Sequence, residues 1–277
     1  MSRVLTQPAL ADLADVPATS RWVRSGPLRL HLLDYGGPGV PLLIVPGITS
    51  PAISMDFVAR ELTDPVRPIV LDNRGRGLSD SGASYTLADY TADVLAVLAA
   101  LDLESPLLLG HSMGARIVAA VAAGGAPVRG SIVVDPPTSG PGRDPYPTTL
   151  EAFLGQLDQA RRGTDADEVA RAWPRWPRRE QELRARWLAS CDEEAIRASH
   201  AGFESEDFFE TWPKVPTPTV FIYGAQSPVV PPLAVTEART TNPQATFVEV
   251  PNAAHMIFWD NPADAFPLLR DSTLPPP

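Results

Sequence analysis

The sequence predicts an α/β fold: a mostly parallel sheet with helices on both faces and an α-helical segment inserted late in the chain. Three observations carry this expectation. Short, almost continuous apolar runs, among them Val40–Val45, Leu107–Leu109 and Gly130–Val134, have the composition of strands buried on both faces. Helical patterns recur between them, and that alternation winds a parallel sheet. From Ser139 to about Pro216 the character changes to segments rich in Arg, Glu and Trp, broken by Pro174 and Pro177. With 277 residues and 44% apolar content, the chain can bury a sizeable core and still carry an insertion. The boundaries read as an N-terminal arm over 1–20, a core of 21–138 and 217–277, and a helical cap over 139–216.

The elements follow in order. The arm shows no periodic pattern and reads as loosely attached. Trp22–Tyr35 is expected as two strands joined by a Gly26-Pro27 turn. Val40–Val45 is the next strand, apolar throughout and therefore central. It runs into Pro46-Gly47-Ile48-Thr49-Ser50-Pro51, a loop at the strand end where open α/β sheets place their sites. A short helix around Met55–Leu62 leads to the strand Arg67–Leu71 and to the loop Asp72-Asn73-Arg74-Gly75-Arg76-Gly77. Leu87, Tyr90, Val94, Leu95, Val97 and Leu98 then recur on a helical period over Thr86–Ala100, with Thr86 as N-cap. After the insertion the sheet resumes at Thr219–Tyr223 and Thr246–Val250, with a short helix between and a final helix near Pro262–Arg270 before a Pro-rich tail.

The strongest chemical signal is Leu107-Leu108-Leu109-Gly110-His111-Ser112-Met113-Gly114, followed by an Ala/Val-rich helix. The pentapeptide G-x-S-x-G alone is common. Between a strand and a helix it is the elbow that lifts a serine hydroxyl to the rim of a sheet. A serine needs a base, and of the four histidines His255 lies in the loop after the last strand, where the base belongs. His31 falls in an early strand, His200 in the cap, and His111 beside Ser112 is expected to point into the core. The base needs a carboxylate to hold its tautomer. The turn after Thr219–Tyr223 offers Gly224-Ala225-Gln226-Ser227, with no acid where one is usual. Asp135, at the end of Gly130–Val134 and before Pro136-Pro137, is the expected acid, and the order Ser112, Asp135, His255 suits such a site. Asp260 is the other candidate, read otherwise as a helix cap. The Met113 amide supplies one oxyanion donor and the Ile48 amide the expected second. Asp72 and Arg74 read as braces of the sheet edge, and Arg116 as a partner for Asp72 or, as the alternative, a contact for substrate. Trp173, Trp176, Trp187, Phe203, Phe208, Phe209 and Trp212 offer the cap an aromatic lining, while its Arg and Glu residues read as a solvated face.

Charge and cysteine content narrow the classes. A formal net charge of −10 argues against nucleic acid or an anionic membrane as partner. The single cysteine, Cys191, allows no internal disulfide, lies in no thiol-nucleophile motif and suits a reducing compartment. The N-terminal residues lack the apolar core of a secretory signal, and no apolar run reaches the length of a membrane span. The expectation is a cytoplasmic protein acting on a small molecule, as monomer or homodimer, with no metal and no cofactor.

Over residues 21–270 these motifs resemble the α/β-hydrolase superfamily, which implies the α/β-hydrolase fold with an inserted cap. V-P-G-I-T-S-P-A, L-D-N-R-G-R-G-L-S-D-S-G, G-H-S-M-G-A-R, V-D-P-P-T-S-G-P-G-R and N-A-A-H-M-I-F-W-D are together similar to the N-formylmaleamate deformylase family of bacterial nicotinate breakdown. In that family the triad acid also sits in the V-D-P-P segment, which carries over onto Asp135. The resemblance implies a serine amidohydrolase that removes formyl from N-formylmaleamate, or from a similar small acidic amide, through an acyl-serine. A small-molecule carboxylesterase would use the same residues, and a non-catalytic ligand receptor on the same scaffold is the alternative of another class.

Overall fold

Strands with no exposed face take the middle of the sheet. The computed structural model describes residues 3–64 and 66–273, and among them eight strands form one sheet in the order β1-β2-β4-β3-β5-β6-β7-β8. These are β1 (Thr19–Ser25), β2 (Leu28–Asp34), β3 (Val40–Val45), β4 (Val66–Leu71), β5 (Leu107–His111), β6 (Gly130–Val134), β7 (Thr219–Gly224) and β8 (Thr246–Val250). β5 and β6 are buried at every residue, whereas β1 and β8 are largely exposed and lie at the two edges. β1 and β2 form the expected hairpin, with Gly26 at φ +55° in its turn, a conformation that favours glycine. β1–β2 and β2–β4 pair antiparallel, and the other five pairings are parallel.

Alternate side chains feed two cores. Leu43, Val45, Leu108, Val133 and Phe221 belong to one apolar cluster, while Leu42, Ile44, Leu109, Ile132, Val134 and Ile222 belong to the other. Helices cover both: α2 (Asp56–Glu61), α3 (Leu87–Ala100), α4 (Met113–Ala123), α10 (Pro232–Thr241), α11 (Ile257–Asp260) and α12 (Pro262–Thr273), numbered together with the short α1 (Gln7–Asp12) and α5–α9 below. Thr86 caps α3 in a reciprocal box with Asp89, as its position in the sequence predicts. Deleting one fully buried side chain of this core, as in Leu108→Ala, would cost about 2–5 kcal/mol.

Between β6 and β7 run α5 (Leu150–Arg162), α6 (Ala166–Ala172), α7 (Arg178–Trp187), α8 (Glu193–Ser205) and α9 (Phe208–Thr211). The N-terminal segment differs from the loose arm the sequence suggests. Arg3 donates to the carbonyls of Ser79 and Ser190 at 2.6 and 2.7 Å, and Asp12 accepts from the Trp187 indole at 2.9 Å. Its helix α1 lies against α7, which buries Ala9 completely. Six residues are too few to show that amphipathic face as a period. The Pro-rich tail expected after the last helix lies outside the described residues.

The register sets the site. Val45, His111, Val134, Gly224 and Val250 end parallel neighbouring strands at the same edge. The loops that follow them carry Ile48, Ser112, Asp135, Ser227 and His255, so residues far apart in sequence reach one rim.

Candidate active site

The elbow is sterically determined. Ser112 sits at φ 57°, ψ −120°, a strained conformation for a residue with a side chain. The turn is tight enough that a Cβ on Gly110 would lie 2.1 Å from the Gly114 carbonyl oxygen, and one on Gly114 would lie 1.8 Å from that of Val45. Only glycine fits either position. The Ser112 amide donates to Val134 O at 2.9 Å, and its own carbonyl accepts from Ala115 N at 2.9 Å, so both neighbouring elements hold the strained residue.

His255 reaches this hydroxyl. Its Nε2 lies 3.0 Å from Ser112 Oγ and its Nδ1 lies 2.7 Å from Asp135 Oδ2. A carboxylate beside Nδ1 holds the proton there and leaves Nε2 free to accept from the serine. Asp135 is fully buried at φ 47° and is satisfied on both oxygens: Gly224 N–H donates to Oδ1 at 3.0 Å, and Ser227 Oγ–H to Oδ2 at 2.5 Å. Ser227, where an acid is usual, thus donates to the acid next door. Asp260 takes neither role considered for it. It closes α11 rather than capping its start, and its Oδ2 accepts from Ala254 N at 3.0 Å, fastening the loop of His255. Burial pushes its carboxyl up.

Ile48 lines the same cavity as Ser112, and neither its amide nor that of Met113, the residue after the serine, forms a hydrogen bond with the described residues. Gly47 is close enough that a Cβ there would touch the Ser112 Cβ at 3.3 Å. The Ile48 carbonyl accepts from Arg76 Nε at 3.0 Å, and Arg76 in turn donates to Tyr90 Oη and Ser199 Oγ. This fully buried guanidinium anchors the loop from behind. Asp72 braces the sheet edge as expected, accepting from Ala52 N, Leu78 N and the His31 ring. Those donors leave Arg116 without the pairing expected for it. Arg116 instead donates to the Glu206 carbonyl and lies over the Phe203 ring, 5.8 Å from its centroid.

A narrow cavity of about 60 Å³ opens on Ser112 and His255. A larger one, about 590 Å³, lies beyond Met113 beside Arg116 and Phe203, but neither Ser112 nor His255 lines it. Of the seven cap aromatics named from the sequence, Trp173 and Trp176 line the small cavity. Trp187 is held by Asp12, Phe203 faces the larger cavity, and Phe208, Phe209 and Trp212 pack with one another and against Phe221. The walls also include residues the sequence did not single out. Tyr146 places its hydroxyl 3.4 Å from His255 Nε2, and nothing in the sequence around it marks it beforehand. Arg184, read as part of a solvated face, lines the cavity. His111 is buried as expected, packed against the core rings of Phe258 and Trp259, and it also meets the loop of His255. Its Nε2 bonds the His255 carbonyl at 2.9 Å and the two rings stack at 5.1 Å. Burial, with the His255 ring beside it, pushes the His111 imidazole down to about 3 and keeps it neutral.

No helix among the described residues is long and apolar enough to cross a membrane. The buried Cys191 thiol is pushed up by burial, which suits packing and not nucleophilic attack.

N-formylmaleamate deformylase of Pseudomonas putida is 41% identical over 242 residues, 86% of this chain and 90% of that protein. The 2-(acetamidomethylene)succinate hydrolase of Mesorhizobium japonicum is 29% identical over 89% of this chain and 92% of its own length. The crystal structure of an N-formylmaleamic acid deformylase variant from Pseudomonas putida superposes with a TM-score of 0.86 at 35% identity, covering 91% of this chain and all of that one. Residues 42–266 match the alpha/beta hydrolase family. With its parallel sheet, its serine elbow and these relatives, the chain belongs to the alpha/beta hydrolase family.

Proposed function

We propose that this hydrolase is a serine amidohydrolase that removes the formyl group from N-formylmaleamate or a closely similar small acidic amide. The observation that carries the mechanism is the unbroken hydrogen-bonded line Asp135–His255–Ser112, at 2.7 and 3.0 Å. The 41% identity to a deformylase supports the substrate class.

In this reading Ser112 Oγ attacks the formyl carbon while His255 Nε2 takes its proton. Asp135 holds the imidazole and balances the charge it gains. The oxyanion of the tetrahedral intermediate lies on the Met113 and Ile48 amides, both free to donate. The carbon–nitrogen bond then breaks, His255 returns the proton to the leaving nitrogen, and maleamate departs. Water, deprotonated by His255, attacks the formyl ester on Ser112, and formate leaves with the serine restored. Every proton moves between groups on this chain, the substrate and water, so the reaction as drawn needs no cofactor. Tyr146 is placed to hydrogen-bond the substrate or the attacking water from the cap side.

We place residues 139–216 as a cap closing over the core of 21–138 and 217–277, and we place the enzyme in the cytoplasm as a step of nicotinate breakdown. The lone reduced-type cysteine and the family resemblance support that location. Formate release from N-formylmaleamate, together with its loss in Ser112→Ala, tests the reaction. Absence of formate from the wild-type protein, with p-nitrophenyl acetate turned over well, overturns the amide reading in favour of an esterase. A fluorophosphonate that fails to label Ser112 overturns catalysis altogether.

A further inference from the structure

Helix α7 carries Arg178, Arg179, Arg184 and Arg186. Three of them pair with carboxylates: Arg178 with Asp167, Arg179 with Asp56 and Arg186 with Asp12. Arg184 does not. Its guanidinium donates to the Thr49 carbonyl at 2.9 Å, the Thr49 hydroxyl at 3.0 Å and Gln156 Oε1 at 2.9 Å, all neutral oxygens. No Asp or Glu lines the cavity that Arg184 shares with Ser112 and His255. Burial pushes the guanidinium down to about 10, and it stays charged near neutral pH.

A part-buried cation that has no carboxylate partner among the described residues is one that a bound anion can stabilise. Three neutral acceptors also leave donors of the guanidinium fork unused. The contact with Thr49 puts the charge on the loop of Ile48, one residue from the expected oxyanion donor. The remaining walls are neutral and flat, with Trp173, Trp176 and Phe153 among them. A small anion bound in this cavity would meet the cation and the serine together.

We propose that Arg184 receives the carboxylate of the substrate, so that this site selects small N-acyl amides bearing an acid group over their neutral counterparts. The inference rests on the acyl-serine reading and adds to it the residue that sets charge selectivity. Arg184 acts on binding and orientation and takes no part in proton transfer. Because it also grips the Thr49 loop, a seated carboxylate and the oxyanion hole share one anchor.

The test is the ratio of kcat/KM for N-formylmaleamate to that for its neutral methyl ester, in the wild-type protein and in Arg184→Gln. The expected result is a fall of about 100-fold in that ratio, carried mostly by KM. Arg184→Lys, which keeps the charge but loses the fork, should fall about 10-fold and serves if the glutamine variant does not fold. Equal slowing on both substrates would make Arg184 a tie for the Thr49 loop alone and would overturn the proposal. If the wild-type protein does not turn over N-formylmaleamate, the substrate reading fails separately. Arg184 is then read from inhibition of p-nitrophenyl acetate hydrolysis by maleamate. Inhibition at least about 10-fold weaker in Arg184→Gln supports the proposal, and equal or absent inhibition in the wild-type protein overturns it.

Discussion

Strands β6 and β7 lie side by side and end at the same rim, yet they hand different chemistry to it. β6 ends in Asp135, whose carboxylate meets His255. β7 ends in Gly224-Ala225-Gln226-Ser227, which has no charge and instead supplies two donors to that carboxylate, Gly224 N–H and Ser227 Oγ–H. The contrast teaches that the acid of such a site is defined by reach to the imidazole and not by one strand. Once the charge sits on β6, a second carboxylate on β7 would stand against it in a buried space, and a hydroxyl there is the better neighbour.

The largest effect should come from breaking the β6 side. Asp135→Asn keeps the shape but offers the imidazole an amide, and kcat should fall roughly 10³–10⁴-fold in a steady-state assay with folding intact by circular dichroism. Next is relocation. Asp135→Asn combined with Ser227→Asp puts the charge on β7, and the double variant should regain about 10-fold or more over Asp135→Asn. No gain would mean that the β7 turn cannot reach His255, so that the two strand ends are not interchangeable. A smaller effect belongs to the β7 side alone. Ser227→Ala removes one charge-assisted donor from Asp135 and should lower kcat about 10-fold while costing about 1–3 kcal/mol of stability.

The smallest effect sharpens the same contrast with another buried acid. Asp135 has three donors, whereas Glu180 on α7, only 4% exposed, accepts from Arg179 alone among the described residues. Burial pushes the Glu180 carboxyl up to about 7 from an ordinary 4.5. A group raised in the folded state favours folding below its ordinary value, and that contribution is lost as pH climbs through about 7. Glu180→Gln should therefore be more stable than the wild-type protein near pH 8, by about 1–2 kcal/mol in denaturant melts, with the advantage gone near pH 4.5. An advantage that does not change with pH would show Glu180 to be charged throughout.

Local signals were enough for much of this molecule. The central strands, the Thr86-capped helix and the Gly110–Gly114 elbow each depend on residues within a few positions of one another, and apolar runs, capping chemistry and glycine spacing report such structure directly. Chain order and residue type also pointed to Ser112, Asp135 and His255, because parallel strands deliver their C-terminal loops to one rim. Several features stayed hidden. The expected Arg116–Asp72 pair is absent because Ala52, Leu78 and His31, from separate segments, already surround Asp72. The arm is fastened by partners more than 70 residues away. In sequence Tyr146 carries no signal and Arg184 looks like a surface residue, and they face the cavity because the segment between β6 and β7 folds back over the strand ends. Periodicity along one chain tells which face of an element is apolar. It does not tell which polar group another segment will leave without a partner, and that choice was made by tertiary packing.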